Sequence, residues 1–428
     1  MRSLKTIRLV YFVYTAYTFF VIAVSDYNPA IAAAGLLCIW PVYCAYSLGF
    51  KSIKGYSNSE TKYDGNNEKF LFSQIAEWKP IQYFSASFIS WMCSAMAARF
   101  YTGRGFFRVI RGLFNGERAY SIYQHHIIEA KIGTFTLRKI PFILMLVFTT
   151  VILFWSMLGL LASEKKMTKI QIVYLVSAVA SYFYFGIARG TNFEMYIIFV
   201  LFVFCLLNRT GNTKKDMKKQ RKAIVGLSVL AVGVVLIFRM VVAARGNVFR
   251  NQICTEIVFD ETRLISRLFP TITNIALSVF RYFGFGIFTI GMVMDRIVLN
   301  TIQGIVAYCM PMGFELFFGN DLMSITRKTV DIGVGWVPDY ISFINTFGLF
   351  LTLFLFYFIG KLIGGLQLSN RARLLKNLIS MVAFLEMLSL PVGNFIATST
   401  PNELAVLLIL LWYFKGNLHI TVGRKRLL

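Results

Sequence analysis

The feature that most constrains this chain is a series of apolar segments, each close to the length that crosses a bilayer. A helix needs about 20 mostly apolar residues to span the hydrocarbon core. Ten segments approach that length: 9–25, 29–49, 80–99, 140–161, 169–187, 194–208, 223–243, 340–360, 377–393 and 402–414. Hydrophobic residues make up 57% of the chain and charged residues only 15%, against about a quarter charged in soluble domains. The sequence therefore predicts one all-α integral membrane domain over residues 1–428, with about ten transmembrane helices.

The first apolar segment is predicted to be a span and not a cleaved signal peptide. Residues 9–24 follow the basic residues Arg2, Lys5 and Arg8. No small-residue cleavage pattern comes after them, as a signal peptide would require.

The connecting segments predict the orientation. With ten spans, the loops 51–79, 164–169, 208–222 and 361–376 fall on the same side as both ends of the chain, and together they carry 26 of the 44 Lys and Arg. Short cytoplasmic loops hold such an excess of basic residues in membrane proteins. Both termini are therefore expected to be cytoplasmic.

Two long segments, 99–139 and 244–339, are expected on the outer side. The second contains an apolar stretch at 276–295 that is followed by a shorter one at 297–310. We expect a pair of interfacial or re-entrant helices there, because irregular backbone is tolerated at membrane depth where protein covers it. A twelve-span arrangement in which both stretches cross is the alternative.

The basic residues differ in type between the two sides. The cytoplasmic set comprises 18 Lys and eight Arg, whereas the remaining basic residues are 15 Arg and three Lys. The planar guanidinium binds phosphate or carboxylate oxygens through two parallel hydrogen bonds, which an ammonium group does not. The excess of arginine predicts a phosphate-like ligand on the outer side, although pairing with local acids explains part of it.

Four outer arginines precede a glycine, in GRGFF, IRGLF, ARGTN and ARGNV. Glycine leaves backbone N–H groups approachable, and such groups at a helix start favour anions. Arg189 is expected at the outer end of the fifth span, facing an anion beside the start of the sixth. The alternative is an interfacial anchor paired with Glu194.

Other titratable residues give weaker signals. His125 and His126 lie in the first outer loop, where either could act as a general base. Glu386 lies inside the ninth predicted span and could pair with an arginine or relay protons in a transporter. No HExxH, CxxC, glycine-rich phosphate loop or outer acidic metal pair occurs in the sequence.

The overall layout resembles the bacterial oligosaccharide repeat-unit polymerases, the Wzy-type O-antigen polymerases. The resemblance rests on the span number, on two arginine-rich outer loops, and on the stretches GIARGTNFEMYIIFVLFVF and RVIRGLFNGERAYSIY. It implies a fold similar to the C-type membrane glycosyltransferases, located in the bacterial inner membrane with the outer loops in the periplasm. It also implies that no cofactor and no metal are needed.

The same resemblance implies the reaction and its partners. The substrates would be oligosaccharides linked to undecaprenyl diphosphate within membrane lipid, a separate copolymerase would regulate chain length, and no nucleic acid would be bound. Arg189, Arg245 and Arg250 are the expected catalytic residues that stabilise the diphosphate leaving group. The substrate-binding candidates are Arg281, Arg108, Arg111 and Glu194. The base is left open among His125, His126 and Glu194.

Two other functions remain as alternatives. A flippase for lipid-linked oligosaccharides should show two similar halves with interrupted spans at matching positions, which the sequence does not display. An O-antigen ligase would share the arginines and a large outer loop.

Overall fold

A computed structural model describes residues 2–25, 28–53, 73–114, 119–130, 136–161, 167–191, 193–209, 252–254, 257–258, 260–292, 338–368, 373–393, 395 and 399–415. These residues are almost entirely helical. The helices are α1 (Arg2–Val24), α2 (Pro29–Ser52), α3 (Pro80–Thr102), α4 (Phe106–Phe114), α5 (Ala119–Glu129), α6 (Ile140–Ser156), α7 (Lys169–Arg189), α8 (Phe193–Arg209), α9 (Leu264–Leu268), α10 (Pro270–Phe283), α11 (Phe285–Met292), α12 (Asp339–Leu368), α13 (Arg373–Ser389) and α14 (Thr400–Lys415). The antiparallel strands β1 (Gln252–Cys254) and β2 (Ile257–Val258) form one short pair.

Five helical segments are long and apolar enough to cross a membrane: Leu4–Val24, Pro29–Ser52, Leu137–Leu161, Lys169–Arg189 and Phe347–Leu366. Two shorter apolar helices cover Phe193–Leu207 and Thr400–Leu411. Because all backbone hydrogen bonds of a helix are internal, it is a stable way to cross hydrocarbon. The described part of the chain is therefore a helical membrane protein, while the predicted span 223–243 lies outside it.

Helices α2 and α12 pack with their backbones in contact. A Cβ on Gly49 would lie 1.9 Å from the carbonyl oxygen of Tyr357, and one on Gly360 would lie 2.0 Å from that of Tyr46. Lipid tails are as apolar as leucine, so helices in a bilayer associate largely through such close contacts between small residues. Glycine at these two positions is what allows this pair to form.

Helix α12 is interrupted near its start. Gly348 adopts φ 75° and ψ 165°, a conformation that breaks the helix and that residues with a side chain rarely adopt. The hydroxyl of Thr352 donates to the carbonyl of Phe343 across this break, at 3.1 Å. A short buried segment that begins at Asp339 therefore precedes the membrane-length part of α12.

The two predicted outer segments contain short helices. Residues 99–139 include α4 and α5, and the described part of 244–339 includes α9, α10 and α11. Helix α11 is fully buried at Ile287, Phe288 and Ile290 and packs on the start of α2. The described residues of this helix end at Met292, and 297–310 lies outside them, so the re-entrant pair and the twelve-span alternative both stay predictions.

Helix α3 contacts α7 through polar side chains. The hydroxyls of Ser90 and Ser181 are 2.7 Å apart, and Ser94 donates to the carbonyl of Ser181 at 2.6 Å. Trp91 donates to Ser177 at 3.1 Å. These bonds give Ser90, Trp91 and Ser94 of α3 polar partners on α7.

Candidate functional site

The site begins at the turn between α7 and α8. Gly190 ends α7 with φ 69°, and its N–H donates to the carbonyl of Ile187 at 3.0 Å. The N–H of Thr191 donates to the carbonyl of Gly186 at 2.9 Å, which completes a Schellman-type helix end. The N–H of Gly190 is thus used to close the last turn of α7.

Arg189 and Glu194 form an ion pair across this turn. A terminal nitrogen of the guanidinium contacts Oε1 of Glu194, and the hydroxyl of Thr191 donates to Oε2 at 2.7 Å. The side chain of Glu194 is 4% exposed, whereas that of Arg189 is 24% exposed. Both carboxylate oxygens are thus engaged, and the carboxylate orients the guanidinium.

The rest of the guanidinium keeps hydrogen-bonding capacity. The Nε of Arg189 is buried and has no hydrogen-bond partner among the described residues. The guanidinium carbon lies 4.3 Å from the ring centroid of Phe185 and 5.8 Å from that of Tyr123, within the range of cation–π attraction. One carboxylate and two aromatic rings therefore hold Arg189 in place without using all of its donors.

This guanidinium lines a cavity of about 470 Å³ at one end of the helix bundle. The cavity lies between the ends of α3 and α7, the starts of α6, α8 and α14, and helix α5. Among the residues that the structure describes, its charged lining residues are Lys139, Arg189 and Glu194, so the two cations and one carboxylate give a net charge of +1. The cavity is therefore suited to an anion.

The remaining lining residues divide into aromatic, polar and aliphatic groups. The aromatic residues are Tyr101, Tyr120, Tyr123, Tyr182, Phe185 and Phe193. The hydroxyl and amide side chains are Gln124, Thr149, Thr150, Thr191, Ser399, Thr400 and Asn402. Aromatic faces with hydroxyl and amide groups provide apolar contact and hydrogen bonds together, a combination that suits sugar rings.

Among the described residues, two of the predicted site residues line this cavity, Arg189 and Glu194. Arg108 is exposed on α4 and lines a separate hollow with His125 and His126. Arg111 is exposed on the same helix and does not line either space. The predicted grouping of Arg108 with Arg189 in one site is therefore not seen.

Three further predicted arginines cannot be placed at atomic detail. Arg245 and Arg250 lie outside the described residues. Arg281 belongs to helix α10, and the placement of its side chain lies outside the description.

The two histidines have different surroundings. His125 forms an i,i+4 pair with Glu129 at 3.2 Å, and both side chains are mostly exposed. Nε2 of His126 lies 3.1 Å from the carbonyl oxygen of Phe100, and its ring packs against Gly103. Neither ring lines the Arg189 cavity, whereas Glu194 does but is engaged by Arg189 and Thr191.

Glu386 lies in the bundle interior, 4% exposed. Neither of its carboxylate oxygens makes a hydrogen bond to a described residue. The predicted alternative of an Arg–Glu386 ion pair is thus not seen among the described residues, and this acid is separate from the Arg189 cavity lining.

Sequence reasoning missed Lys139 as a site residue. Its side chain is 8% exposed and lines the cavity, although it lies 50 positions before Arg189. The signal was present in the sequence, because Lys139 is one of only three lysines in the predicted outer segments. The tyrosines of α5, Tyr120 and Tyr123, belong to the stretch RVIRGLFNGERAYSIY noted in the sequence but were not named as site residues, since aromatic residues near a bilayer often serve as interface anchors.

Comparisons of this chain with protein-family models, with curated proteins and with solved structures found no match. The helical bundle with the Arg189 cavity at one end is therefore the basis on which the function is argued.

Proposed function

We propose that this chain is a membrane glycosyltransferase that joins oligosaccharide repeat units carried on undecaprenyl diphosphate, as a Wzy-type polymerase does. The observation that carries the proposal is the oriented guanidinium of Arg189, which retains an unpaired Nε–H among the described residues and lines a net-positive cavity rich in tyrosine. The cations of this lining favour an anion, and its aromatic and hydroxyl groups favour a sugar ring. A sugar diphosphate has both parts.

The proposed reaction transfers a growing glycan chain to a new repeat unit. A hydroxyl of the new unit attacks the anomeric carbon of the chain, a C–O bond forms, and the bond from that carbon to the diphosphate oxygen breaks. The electron pair leaves with undecaprenyl diphosphate, and the hydroxyl proton passes to a base. Negative charge therefore develops on the departing diphosphate.

The chain's own groups would stabilise that charge. Hydrogen-bond donors that are oriented before the reaction lower the barrier most in a site from which water is excluded. Glu194 and Thr191 hold Arg189 in one orientation, and Lys139 adds a second cation to the lining. We assign Arg189 to the leaving diphosphate and Glu194 to positioning, with Arg245 and Arg250 as further proposed donors.

The proposal includes a location and an arrangement in the membrane. The protein would be in the bacterial inner membrane with about ten spans and with both termini cytoplasmic, so that the Arg189 cavity opens on the periplasmic side. The lysines are concentrated in the predicted loops 51–79, 164–169, 208–222 and 361–376, on the side of the bundle away from Arg189. This distribution supports the orientation. A copolymerase that regulates chain length would be its partner.

A second candidate, the flippase for lipid-linked oligosaccharides, is favoured by one observation. Glu386 is buried in the bundle and its carboxylate has no hydrogen-bond partner among the described residues. Buried acids at membrane depth are used as proton relays in transporters. The polymerase is preferred because the oriented arginine lies at the end of the bundle, where a transferase acting on a surface substrate requires it.

Deletion of the gene in its native host, followed by gel analysis of surface polysaccharide, tests the proposal. A polymerase deletion should reduce the ladder to core plus a single repeat unit, because units are still exported and ligated but no longer joined. Loss of the single unit as well would mean that export or ligation fails, and the flippase or ligase would replace the polymerase.

A further inference from the structure

A second cavity, of about 690 Å³, lies on the outer surface of α3 and the start of α6. Its floor is apolar, with Met96 and the stacked rings of Phe100 and Phe142, whose centroids are 4.0 Å apart. Its basic lining residues are Arg99, Arg138 and Lys139. We call this space the α3–α6 groove.

The described lining of the groove carries positive charge. Arg99 and Arg138 are exposed, and neither forms an ion pair with a described residue. No carboxylate is among the described residues that line it. Guanidinium groups bind phosphate oxygens with charge-assisted hydrogen bonds, so the rim favours a phosphate group.

The surroundings of the groove are those of a bilayer-facing surface. Met96 is 44% exposed, and Leu137, the neighbour of the lining residue Arg138, is 69% exposed. Apolar side chains exposed on a membrane helix contact lipid tails. A molecule bound here can therefore place an acyl or prenyl chain over the floor while its phosphate meets the arginines at the rim.

Lys139 connects this groove to the Arg189 cavity. Its side chain is almost completely buried and lines both spaces. The groove is thus the neighbour of the proposed reaction site, and Lys139 is common to both linings.

We infer that the α3–α6 groove binds the lipid diphosphate of the acceptor, the incoming repeat unit, while the Arg189 cavity binds the diphosphate of the donor. This inference rests on the function proposed above, in which both substrates are anchored to lipid diphosphates and only one diphosphate leaves. The leaving group is assigned to the Arg189 cavity, because charge develops on it and the guanidinium there is oriented by Glu194. The acceptor diphosphate does not react, so a rim open to lipid is sufficient to hold it.

The binding test counts lipid diphosphates on the full chain. The protein is placed in phosphatidylcholine nanodiscs with undecaprenyl diphosphate as the probe, and native mass spectrometry measures how many molecules bind. Wild type should bind two. The Arg99→Ala, Arg138→Ala double variant should bind one and should lose affinity at the second site by about 30-fold, as expected for two basic residues near a charged headgroup.

A charge-matched control separates local contacts from net charge. Lys51 and Lys361 are exposed and line neither space, so the Lys51→Ala, Lys361→Ala variant should still bind two. Equal binding of the probe by wild type and by the Arg99→Ala, Arg138→Ala variant, the groove variant, would overturn the inference. Displacement of the second probe molecule by an equal concentration of phosphatidylglycerol would also overturn it, because the groove would then hold an ordinary bilayer lipid.

A kinetic test identifies which substrate the groove holds. In extension of a labelled glycan chain by added lipid-linked repeat units, the groove variant should raise KM for the acceptor while kcat stays within about twofold. An unchanged KM would contradict the assignment. If wild type extends no chain at all, the proposed function fails, but the binding count still reports on the groove.

Discussion

The carboxylate of Glu194 lies against the backbone of Gly186, such that a Cβ on Gly186 would be 2.7 Å from Oε2. Helices α7 and α8 therefore approach closely at this level, and only the absence of a side chain leaves room for the acid. Because Glu194 orients Arg189, the glycine on one helix determines the position of a guanidinium near its end.

The first prediction concerns Gly186→Ala. The added methyl group should displace Glu194, loosen Arg189 and strongly reduce polymer formation, although alanine favours helix over glycine by about 1 kcal/mol. Activity and thermal unfolding of the purified variant measure the two effects separately. Gly105→Ala is the matched control, since a Cβ there meets nothing within 4 Å. Full activity in Gly186→Ala would show that the Glu194 position is not needed.

The second prediction concerns Glu194→Gln. The amide keeps the shape and an acceptor for Arg189 but removes the negative charge, so the charged lining changes from a net +1 to two cations alone. Repulsion between the carboxylate and a bound diphosphate is then absent. We expect tighter binding of undecaprenyl diphosphate and stronger product inhibition, measured by titration of the purified protein at constant salt. Weaker binding would mean that Glu194 acts only by holding Arg189.

The apolar segments predicted much of the helical structure. The expected spans 29–49, 140–161 and 169–187 coincide closely with helical segments at Pro29–Ser52, Leu137–Leu161 and Lys169–Arg189. Hydrophobic length is a local property of the chain, which is why it is readable without the structure.

The site was only partly predictable, because its members meet through tertiary packing. Arg189 and Glu194 are near neighbours in sequence and were expected together. Lys139 comes from the start of α6 and Tyr123 from α5, and no local pattern indicates that these elements surround the end of α7. An Arg-Gly pair in the sequence is compatible with an anion-binding turn and with a helix end, and the structure shows that Gly190 ends α7.

The third prediction tests the packing of α2 on α12. Gly49→Ala places a methyl group 1.9 Å from the carbonyl oxygen of Tyr357 and should lower the free energy of unfolding by about 1–3 kcal/mol, as overpacking does. Gly365→Ala is the control, since its methyl group would meet only the terminal methyl of Ile53, at 3.3 Å. Unfolding in detergent is the measurement, and equal stability of the two variants would contradict the proposed contact.

The fourth prediction tests the orientation. Gly105→Cys and Lys51→Cys are made separately in a variant without native cysteines, both at exposed positions. The reagent is a maleimide that cannot cross the inner membrane, used on cells whose outer membrane has been made permeable to it. It should label the cysteine at 105 and not the one at 51. Labelling only at 51 would place the Arg189 cavity on the cytoplasmic side and exclude the proposed reaction on periplasmic substrates.

The most direct test of the central claim is complementation of the deletion strain with Arg189→Lys and Arg189→Ala. Lysine keeps the charge but lacks the planar fork that binds two oxygens, and alanine lacks both. Both variants should therefore yield only the single-unit band, at a protein level in the membrane equal to that of wild type. Wild type should restore the full ladder. A full ladder from Arg189→Ala would contradict the assignment of Arg189 to the leaving diphosphate and would make it an interfacial anchor.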